Sequence, residues 1–434
     1  MRSVSPIPID AEMVGQKWSK LGDAIAPAHS GNQSGNIIYC WNLFRDDAFF
    51  AFDQSPAHRH NTHEPTVYRG AAATMHGLEA GLRIAQISPL TEAVPPKFYG
   101  GTERVISWLT EELVTLGHDV TLFASGDSVT SARLEPMWPT ALRLDGSVRD
   151  PNALHISMIE QVARRAKEFD LLHFHLDYYP FSVMSRQSTP FLTTLHGRLD
   201  LPEHEPVFST FPNVPVVSIS NAQRRPAPNA HWISTVHHGM PDRLLEPASS
   251  VPSYLAFLGR ISPEKRVDRA IHIAERCGLP LKIAAKVDPA DHDYFEEMIR
   301  PLLAKPHVEF IGEISDAQKS EFLSGALALI VPIDWPEPFG LVMIEAMACG
   351  APVVAFNRGS VPEVIEDGVT GFVVEDETSA VGALRHLSRL SRTAIRKRFE
   401  ERFSARRMAK DYLAVYRDLL GATALRPRIA SVSG

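Results

Sequence analysis

The chain of 434 residues contains only three cysteines, Cys40, Cys277 and Cys349, and they lie far apart. No CxxC pair is present, which excludes the common zinc and dithiol motifs and fits a reducing compartment. No apolar run is long enough to cross a membrane, and residues 1–30 lack the apolar core of a signal peptide. We therefore expect a cytoplasmic protein, with a peripheral position at the inner face of the membrane as an open alternative.

The sequence also lacks an excess of positive charge and the glycine pattern of dinucleotide enzymes. Its formal net charge is −7, which argues against non-specific binding of nucleic acid by the whole chain. No GxGxxG motif follows a predicted strand, which counts against a dinucleotide cofactor. A chain of this length can form two domains, each with its own core.

Residues 1–80 show no sustained helical or strand periodicity, and we interpret them as an N-terminal extension of low order. The histidines His58, His60 and His63 lack the fixed scaffold that a metal site requires, so no metal site is predicted there. Because the ordered pattern begins just after Met75, that residue is an alternative candidate for the start of the biological chain.

From Leu82 onward, apolar strands alternate with amphipathic helices. The segments 82–88, 102–116 and 119–124 predict a strand, a helix and a strand, and this βαβ unit implies a parallel sheet in an α/β protein. Further strands are predicted at 171–175, 190–195, 215–219, 232–236, 254–259, 281–287, 308–311, 326–332 and 352–356. A helical region is predicted from 378 to 420, and a disordered tail from 422.

The most distinctive stretch is 332–376, in which Glu337 and Glu345 stand eight residues apart. Gly340 favours a loop, and the apolar run after it predicts a buried helix that ends near Gly350. Glu345 is the only charge of that helix, and an ionised carboxylate in such a place needs strong hydrogen-bond donors. The free N–H groups at the start of the helix suit an anion such as a phosphate.

Two interpretations fit these carboxylates. In the first, both bind hydroxyl groups beside a phosphate site, which describes a site for a nucleotide sugar. In the second, Glu345 forms an ion pair with an arginine in a core, and Glu337 is a solvated loop residue.

The segment from Glu337 to Val354, EPFGLVMIEAMACGAPVV, closely resembles the signature of the retaining glycosyltransferases of family 4, and residues 359–374 match the same family. The resemblance extends over nearly everything after residue 82. It implies the GT-B fold, in which two Rossmann-like domains face a cleft. The expected division is an acceptor domain at 81–240, a linker at 241–252, a donor domain at 253–410, and a C-terminal helix end and tail at 411–434.

The resemblance also implies roles for individual residues. The expected catalytic residues are His196, Arg260, Lys265 and Glu337. The donor is expected to contact Gly100 and Gly101 of the loop PPKFYGGTER, and also Arg260, Lys265, Gly312, Glu313, Glu337, Phe339, Gly340, Leu341 and Glu345. Glu103 and Asp177 are expected to contact the acceptor.

Several of these residues also have simpler interpretations. Arg260 and Lys265 oppose the dipole of the helix after them, so they need an anion, either the diphosphate of a donor or nearby carboxylates such as Glu264 and Asp268. Arg266 replaces the glycine that the family has next, which adds charge or changes the angle of the loop.

His196 without the resemblance is a histidine at a strand end, and Asp177 is a turn or helix-capping residue. The DxD motif at 291–293 is interpreted as the start of a helix in which Asp291 acts as a cap, so a metal is not required. Residues 389–410 carry nine Lys or Arg, which predicts a solvated face or, alternatively, a surface for a membrane or an anionic acceptor.

The implied reaction transfers a hexosyl group from a nucleoside diphosphate sugar to a hydroxyl acceptor, with retention at the anomeric carbon. A UDP-sugar is the favoured donor and GDP-mannose the alternative, and neither a cofactor nor a nucleic acid is expected to take part. Two further functions stay open: a nucleotide-sugar 2-epimerase of the same fold, and a protein that binds a nucleotide sugar without catalysis.

Overall fold

The structure, a computed structural model, describes residues 81–97 and 100–425, so the predictions for residues 1–80 and for the end of the tail lie outside the described residues. Thirteen strands are described. They are β1 (Arg83–Ile87), β2 (Asp119–Ser125), β3 (Arg133–Trp138), β4 (Leu171–Phe174), β5 (Phe191–Thr194), β6 (Pro215–Ser218), β7 (His231–Thr235), β8 (Tyr254–Ile261), β9 (Leu281–Val287), β10 (Val308–Gly312), β11 (Ala326–Val331), β12 (Val353–Phe356) and β13 (Gly371–Val374).

These strands form two parallel sheets that belong to the same compact unit. The first sheet has the spatial order β3-β2-β1-β4-β5-β6-β7, and the second has the order β10-β9-β8-β11-β12-β13. Each pair of neighbours is parallel, for example β1 with β2 and β8 with β11. The predicted α/β class with parallel sheets is therefore confirmed.

Helices connect the strands and cover the sheets. They are α1 (Gly101–Thr115), α2 (Pro151–Arg165), α3 (Phe181–Met184), α4 (His204–Thr210), α5 (Asn221–Arg224), α6 (Val267–Cys277), α7 (His292–Tyr294), a π-helical turn (Phe295–Ile299), α8 (Arg300–Leu303), α9 (Asp316–Ser324), α10 (Leu341–Ala348), α11 (Val361–Val364), α12 (Glu377–Leu384), α13 (Arg392–Phe403) and α14 (Ala405–Leu425). Short 3₁₀ turns occur at Leu142–Leu144, Ala166–Glu168, Pro289–Asp291 and Leu387–Arg389.

The strands that the sequence predicts are apolar runs, because a parallel sheet buries the side chains on both of its faces. In β1, Ile84, Ala85 and Ile87 are fully buried, as expected when helices cover both sides of a sheet. Two edge strands, β3 and β13, were not predicted. The sequence of β3, RLEPMW, is half-exposed and contains a proline, which an edge strand tolerates because its outer N–H groups are not needed by the sheet.

The last helix, α14, returns to the first sheet and packs against α1. Tyr412 and Tyr416 of α14 are fully buried there. The Tyr416 hydroxyl lies 2.7 Å from His173 Nδ1, and the Tyr412 hydroxyl lies 2.9 Å from Thr194 Oγ1. The predicted helical region consists of three separate helices, and α14 continues to Leu425, past Ala422, where the sequence predicted a disordered tail.

Four of the nine basic residues in the segment 389–410 point into the protein, and the other five are exposed. Arginine side chains from α13 and α14 donate to main-chain carbonyl oxygens of other segments, and these arginines are Arg392, Arg396, Arg402 and Arg407. For these four residues the interpretation as a solvated face is therefore wrong, and the predicted membrane surface loses four of its nine positive charges. Within the described residues, no helix combines the length and the apolar character needed to cross a membrane.

The carboxyl ends of the two sheets meet through polar contacts. Ser220, just after β6, donates its hydroxyl to the carbonyl oxygen of Pro338 at 2.7 Å. The backbone N–H groups of Asn221 and Ala222 donate to the carboxylate of Glu363 on α11, each at 2.7 Å. A carboxylate at the N-terminus of α5 is favourable because the free N–H groups of a helix start point at it. These contacts bring the loops of both sheets to one place.

Candidate active site

Lys265 and Glu337 form an ion pair between the loops that follow β8 and β11, the central strands of the second sheet. Trp335 Nε1 donates to the same carboxylate oxygen of Glu337 at 3.0 Å. The ammonium group of Lys265 also lies 5.0 Å from the centre of the Trp335 ring. Glu337 is only 8% exposed, so the interpretation of this residue as a solvated loop residue is wrong.

The backbone of Glu337 is held by the next loop of the sheet. Gly359 has a φ of +56°, and a Cβ there would overlap backbone atoms of Glu337. Ser360 donates its N–H to the Glu337 carbonyl at 2.9 Å, and its hydroxyl to the Phe339 carbonyl at 2.9 Å. The downstream motif GSVPEV therefore orients the loop that carries the first carboxylate.

Two helix N-termini face each other beside this pair. Helix α10 begins after Gly340, which has a φ of +82°, and α1 begins after Gly100. A Cβ at Gly101 would lie 3.7 Å from Leu341 Cδ1, and one at Gly100 would lie 2.8 Å from the side chain of Pro96. The two glycines therefore allow the start of α1 to approach the start of α10. Free N–H groups and the positive dipole ends suit an anion.

Arg260 lies at the end of β8 and is surrounded by carboxylates. It donates to Glu264 at 2.7 Å, and its guanidinium lies 3.6 Å from Asp288 and 3.7 Å from Asp291. The alternative of nearby carboxylates thus holds for Arg260 with Glu264. Asp291 stands at the N-cap position of α7, where the sequence predicts it, but its side chain makes no capping hydrogen bond and lies 3.7 Å from Arg260.

Arg266 has a φ of +53° and precedes the first residue of α6. This left-handed conformation is one that glycine adopts without cost, so the arginine keeps the backbone geometry of the family's glycine and adds a charge. Its guanidinium pairs with Asp268 at 2.8 Å and with Asp334 at 3.2 Å. Asp268 therefore neutralises Arg266, and not Lys265 as the simpler interpretation suggested.

Glu345 is 5% exposed, and its carboxylate accepts a hydrogen bond from Lys319 of α9 at 2.7 Å. Lys319 also lies 3.1 Å from Asp316, which pairs with Arg104 of α1. Four charged side chains thus form a continuous chain of contacts from α1 to α10, in the order Arg104, Asp316, Lys319 and Glu345. The predicted need for strong donors is met by a lysine, where the ion-pair interpretation expected an arginine.

His196 follows β5 and takes part in a line of buried polar groups. Its Nε2 lies 2.9 Å from His175 Nδ1, and its ring stacks on His238 with centroids 5.3 Å apart. His238 contacts Phe339 in turn, with centroids 4.9 Å apart. Desolvation lowers the pKa of His196 to about 3, so the ring is neutral near pH 7. Among the described residues, its Nδ1 has no hydrogen-bond partner.

The two residues expected at the acceptor differ in their surroundings. Asp177 follows β4 with a φ of +46°, and desolvation raises its pKa to about 6, against the opposing effects of His204 and of the His196 backbone N–H. Glu103, in the first turn of α1, is 6% exposed, and burial raises its pKa to about 7. A Cβ at Gly100 would lie 3.2 Å from the Glu103 carboxylate, so this group is next to the glycine loop.

Gly312 and Glu313 lie at the end of β10, which is the edge strand two positions away from β8. Gly312 has a φ of +85°. Their expected contact with a donor stays a prediction. No group of three or more His, Cys, Asp or Glu side chains that could hold a metal ion is found in the described part of the chain.

Sequence reasoning did not identify Lys319, Asp316, Trp335 or His238 as parts of this site. Trp335 stands two residues before Glu337, and His238 stands three residues before the predicted linker, so their positions gave a weak signal. Lys319 is 26 residues from Glu345 and lies in an ordinary polar helix. Only the packing of α9 against α10 brings those two side chains together.

Comparison with known proteins agrees with this arrangement. The family model described as Glycosyltransferase Family 4 matches residues 99–255, and the one described as Glycosyl transferases group 1 matches residues 246–404. Alpha-maltose-1-phosphate synthase of Mycobacterium tuberculosis is 32% identical over 133 residues, which cover 29% of this chain and 34% of that one. Several such matches span between 34% and 47% of the relatives' own length, so less than half of it.

A longer match is with N-acetyl-alpha-D-glucosaminyl L-malate synthase of Bacillus anthracis, 24% identical over 372 residues, which cover 74% of this chain and 94% of that one. Among solved structures, the Anabaena protein HepE in complex with UDP and glucose is similar with a TM-score of 0.60 and 17% identity, covering 78% of this chain and 100% of that one. The predicted GT-B fold is thereby confirmed. One family model matches most of the residues that form the first sheet, and the other matches the residues that form the second. The chain belongs to glycosyltransferase family 4.

Proposed function

We propose that the protein is a retaining glycosyltransferase that moves a hexosyl group from a nucleoside diphosphate sugar to a hydroxyl acceptor. The observation that carries the proposal is the ion pair of the half-buried Lys265 with the buried Glu337 beside the start of α10. A cation and free helix N–H groups suit a diphosphate, and a carboxylate next to them suits sugar hydroxyls. Arg260, near the end of β8 and just before the loop that carries Lys265, supplies a second cation for the diphosphate.

The reaction breaks the bond between the anomeric carbon and the diphosphate oxygen, and forms a bond between that carbon and the acceptor oxygen. Negative charge grows on the departing diphosphate, where Lys265, Arg260 and the N–H groups near Gly340 would stabilise it as preorganised charges. The proton of the acceptor hydroxyl passes to the departing phosphate oxygen. This balance needs neither a covalent intermediate on the protein nor a metal ion, and we propose that the reaction is metal-independent.

The remaining predicted residues fit around this centre. Glu337 and the backbone of residues 339–341 would hold the hydroxyls of the donor sugar, and Glu345 would hold the ribose after exchanging its bond with Lys319. His196, neutral at physiological pH, would contact the transferred sugar through Nδ1. Gly100 and Gly101 would lie against the donor, with the backbone at Gly312 and Glu313 near the base, and Glu103 and Asp177 on the acceptor side.

A UDP-sugar is the favoured donor, with GDP-mannose as the alternative. HepE, which is similar in fold, was solved with UDP and glucose, and this supports the choice of UDP as the first nucleotide to test. The domain division at 81–240 and 253–410 remains part of the proposal, as does a cytoplasmic location.

The proposal is tested first by thermal unfolding with UDP, GDP and ADP at millimolar concentration. A nucleotide at about a hundred times its Kd stabilises the folded protein by about 2.7 kcal/mol, so one of the three is expected to raise the Tm. Lys265→Ala is expected to lose this shift and to lower transfer by about a hundredfold or more. Lys397→Ala, which truncates a lysine side chain that is 74% exposed, is the matched control and should behave like the wild type.

Lys265→Gln keeps a donor for Glu337 and replaces the alanine variant if that variant does not fold. The absence of a Tm shift with all three nucleotides would refute the donor site. A shift without transfer to any acceptor would favour a binding protein, and release of a free epimerised sugar without an acceptor would favour the epimerase.

A further inference from the structure

Three side chains that the donor site does not use lie beside the carboxyl ends of β4 and β5. They are Asp177, Tyr178 and His204. Tyr178 is 38% exposed, its ring stacks on Tyr179 with centroids 5.5 Å apart and an angle of 15°, and it lies 5.8 Å from the ring of His204. The stacked pair presents a rigid aromatic surface at the edge of a sheet where ligands of α/β proteins gather.

Polar groups surround this aromatic surface. His204 and the backbone N–H of His196 both lower the pKa of the Asp177 carboxyl group, against the larger effect of burial. The Nδ1 atom of His204 is buried and lacks a hydrogen-bond partner within the described part of the chain. Buried polar atoms without partners are rare in folded proteins and call for an explanation such as a ligand.

The backbone at Asp177 is a further sign of a functional position. Its φ of +46° lies in the left-handed region, which is uncommon for residues other than glycine, asparagine and aspartate. Uncommon backbone conformations cluster at ligand sites. Asp177 directly precedes Tyr178 in the chain. The raised pKa of Asp177, about 6, leaves this carboxyl ionised near pH 7 but costly to keep without donors.

A pyranoside combines the two complementary surfaces. One face of the ring presents C–H groups, and the rim presents hydroxyls that donate hydrogen bonds. An aromatic ring with an exposed face binds the apolar side, and carboxylate and imidazole groups bind the rim. An anionic acceptor would meet the negative charge of Asp177, and a lipid chain would leave the polar atoms without partners.

We propose that the acceptor of the transfer is a neutral pyranoside whose C–H face lies on Tyr178 and whose hydroxyls bond to Asp177 and His204. This inference rests on the proposed glycosyltransferase function, because it names the substrate that receives the sugar. In the transfer, a hydroxyl of the bound pyranoside attacks the anomeric carbon of the donor. That hydroxyl gives its proton to the departing diphosphate, as in the general reaction above.

The test begins with the nucleotide that raises the Tm and a matching nucleotide sugar. Product formation is measured by mass spectrometry with the methyl α- and β-pyranosides of glucose, galactose, mannose and N-acetylglucosamine. L-malate, glycerol and dioleoylglycerol in phosphatidylcholine vesicles serve as the other acceptors. Transfer to at least one pyranoside is expected, and transfer only to malate, glycerol or the lipid would overturn the inference.

The role of the ring is then measured by kinetics. Tyr178→Ala is expected to raise the acceptor KM about tenfold or more, whereas Tyr178→Phe keeps the aromatic face and stays within about threefold. Ile156→Ala, which removes a side chain that is 61% exposed on α2, is the control for surface truncation and should not change the acceptor KM. An unchanged acceptor KM in Tyr178→Ala would overturn the inference.

The two levels of the proposal fail in different ways. If no nucleotide changes the Tm, the glycosyltransferase function fails and the acceptor assignment falls with it. If a nucleotide binds and malate, glycerol or the lipid receives a sugar but no pyranoside does, only the acceptor assignment is wrong. If a nucleotide binds and none of the acceptors receives a sugar, the binding protein is favoured and both assignments are wrong.

Discussion

The buried carboxyl group of Glu103 makes the stability of the protein depend on pH in an unusual direction. It lies in the first turn of α1 and is 6% exposed. Burial is the main cause of its raised pKa, and the carboxylate of Glu92 adds to the effect. Backbone N–H groups of Glu103 and Glu92, together with Arg143, oppose it without cancelling it. Glu103→Gln keeps the shape of the side chain and removes the titration.

The size of the effect follows from the two pKa values. The pKa rises from 4.5 in the unfolded chain to about 7 in the folded protein, which at 1.36 kcal/mol per pKa unit corresponds to about 3 kcal/mol. Between pH 4.5 and pH 7 the folded protein holds a proton that the unfolded chain has lost. Its stability therefore falls as the pH rises through this window, and the full loss is present above pH 7.

We expect Glu103→Gln to unfold near the wild-type temperature at pH 5 and clearly above it at pH 8. For a chain of this size, about 3 kcal/mol corresponds to a Tm difference of roughly 4 °C. Scanning calorimetry from pH 5 to 8 measures the difference curve, in which the titration of all other groups largely cancels. Glu160→Gln, in a side chain that is 50% exposed and accepts from Arg164 at 2.9 Å, is the control for exchanging a surface carboxyl group for an amide. A flat or falling curve for Glu103→Gln would refute this reasoning.

Two other substitutions test the packing around the site. Lys319→Met leaves Glu345 buried without its partner and is expected to lower the free energy of unfolding by about 3–5 kcal/mol, measured as a lower Tm. Adding Glu345→Gln should recover most of this loss, and a double variant that does not recover it would contradict the pairing. Gly359→Ala places a Cβ against the backbone of Glu337 at a φ of +56°, and denaturant unfolding should show a loss of roughly 2–5 kcal/mol. Gly382→Ala, in α12 with open space around it, should instead be neutral or stabilising by about 0.5–1 kcal/mol, and equal effects of the two glycine changes would count against the steric argument.

Much of the fold could be predicted from the sequence because buried parallel strands leave a strong local signal. Strands such as β1 and β9 are apolar runs between turns, and α10 is apolar on all sides, as its burial requires. The edge strand β3 was missed because it is half-exposed and carries charged residues, so no apolar run marks it. The return of α14 to the first sheet depends on contacts between residues far apart in sequence, which a local pattern does not contain.

The residues of the candidate site also divide into those that a local sequence motif predicts and those that depend on distant contacts. Glu337 and Lys265 were predicted because each stands in a motif with a fixed spacing to a helix start. The sequence predicted that Glu345 has a strong hydrogen-bond donor as its partner. It did not identify Lys319 as that donor, because Lys319 lies on another helix. The left-handed conformation of Arg266 was not visible either, although the glycine expected at that position was the hint that such a conformation is required.

Under the proposed function, the two carboxylates would have two states, the ion pairs of this structure and hydrogen bonds to the hydroxyls of a bound donor. In this structure Lys265 pairs with Glu337, and Lys319 pairs with Glu345. A diphosphate bound at Lys265 would compete with Glu337 for the ammonium group, and the displaced carboxylate would then need new donors because it is buried. Sugar hydroxyls at that place supply them, so a donor that carries both a diphosphate and a sugar satisfies both groups at once. A nucleoside diphosphate alone satisfies only the lysine. Under the proposed function, Lys265 and Glu337 thus pair with each other when no donor is bound. Because a donor must replace both partners, binding of the diphosphate is coupled to binding of the sugar.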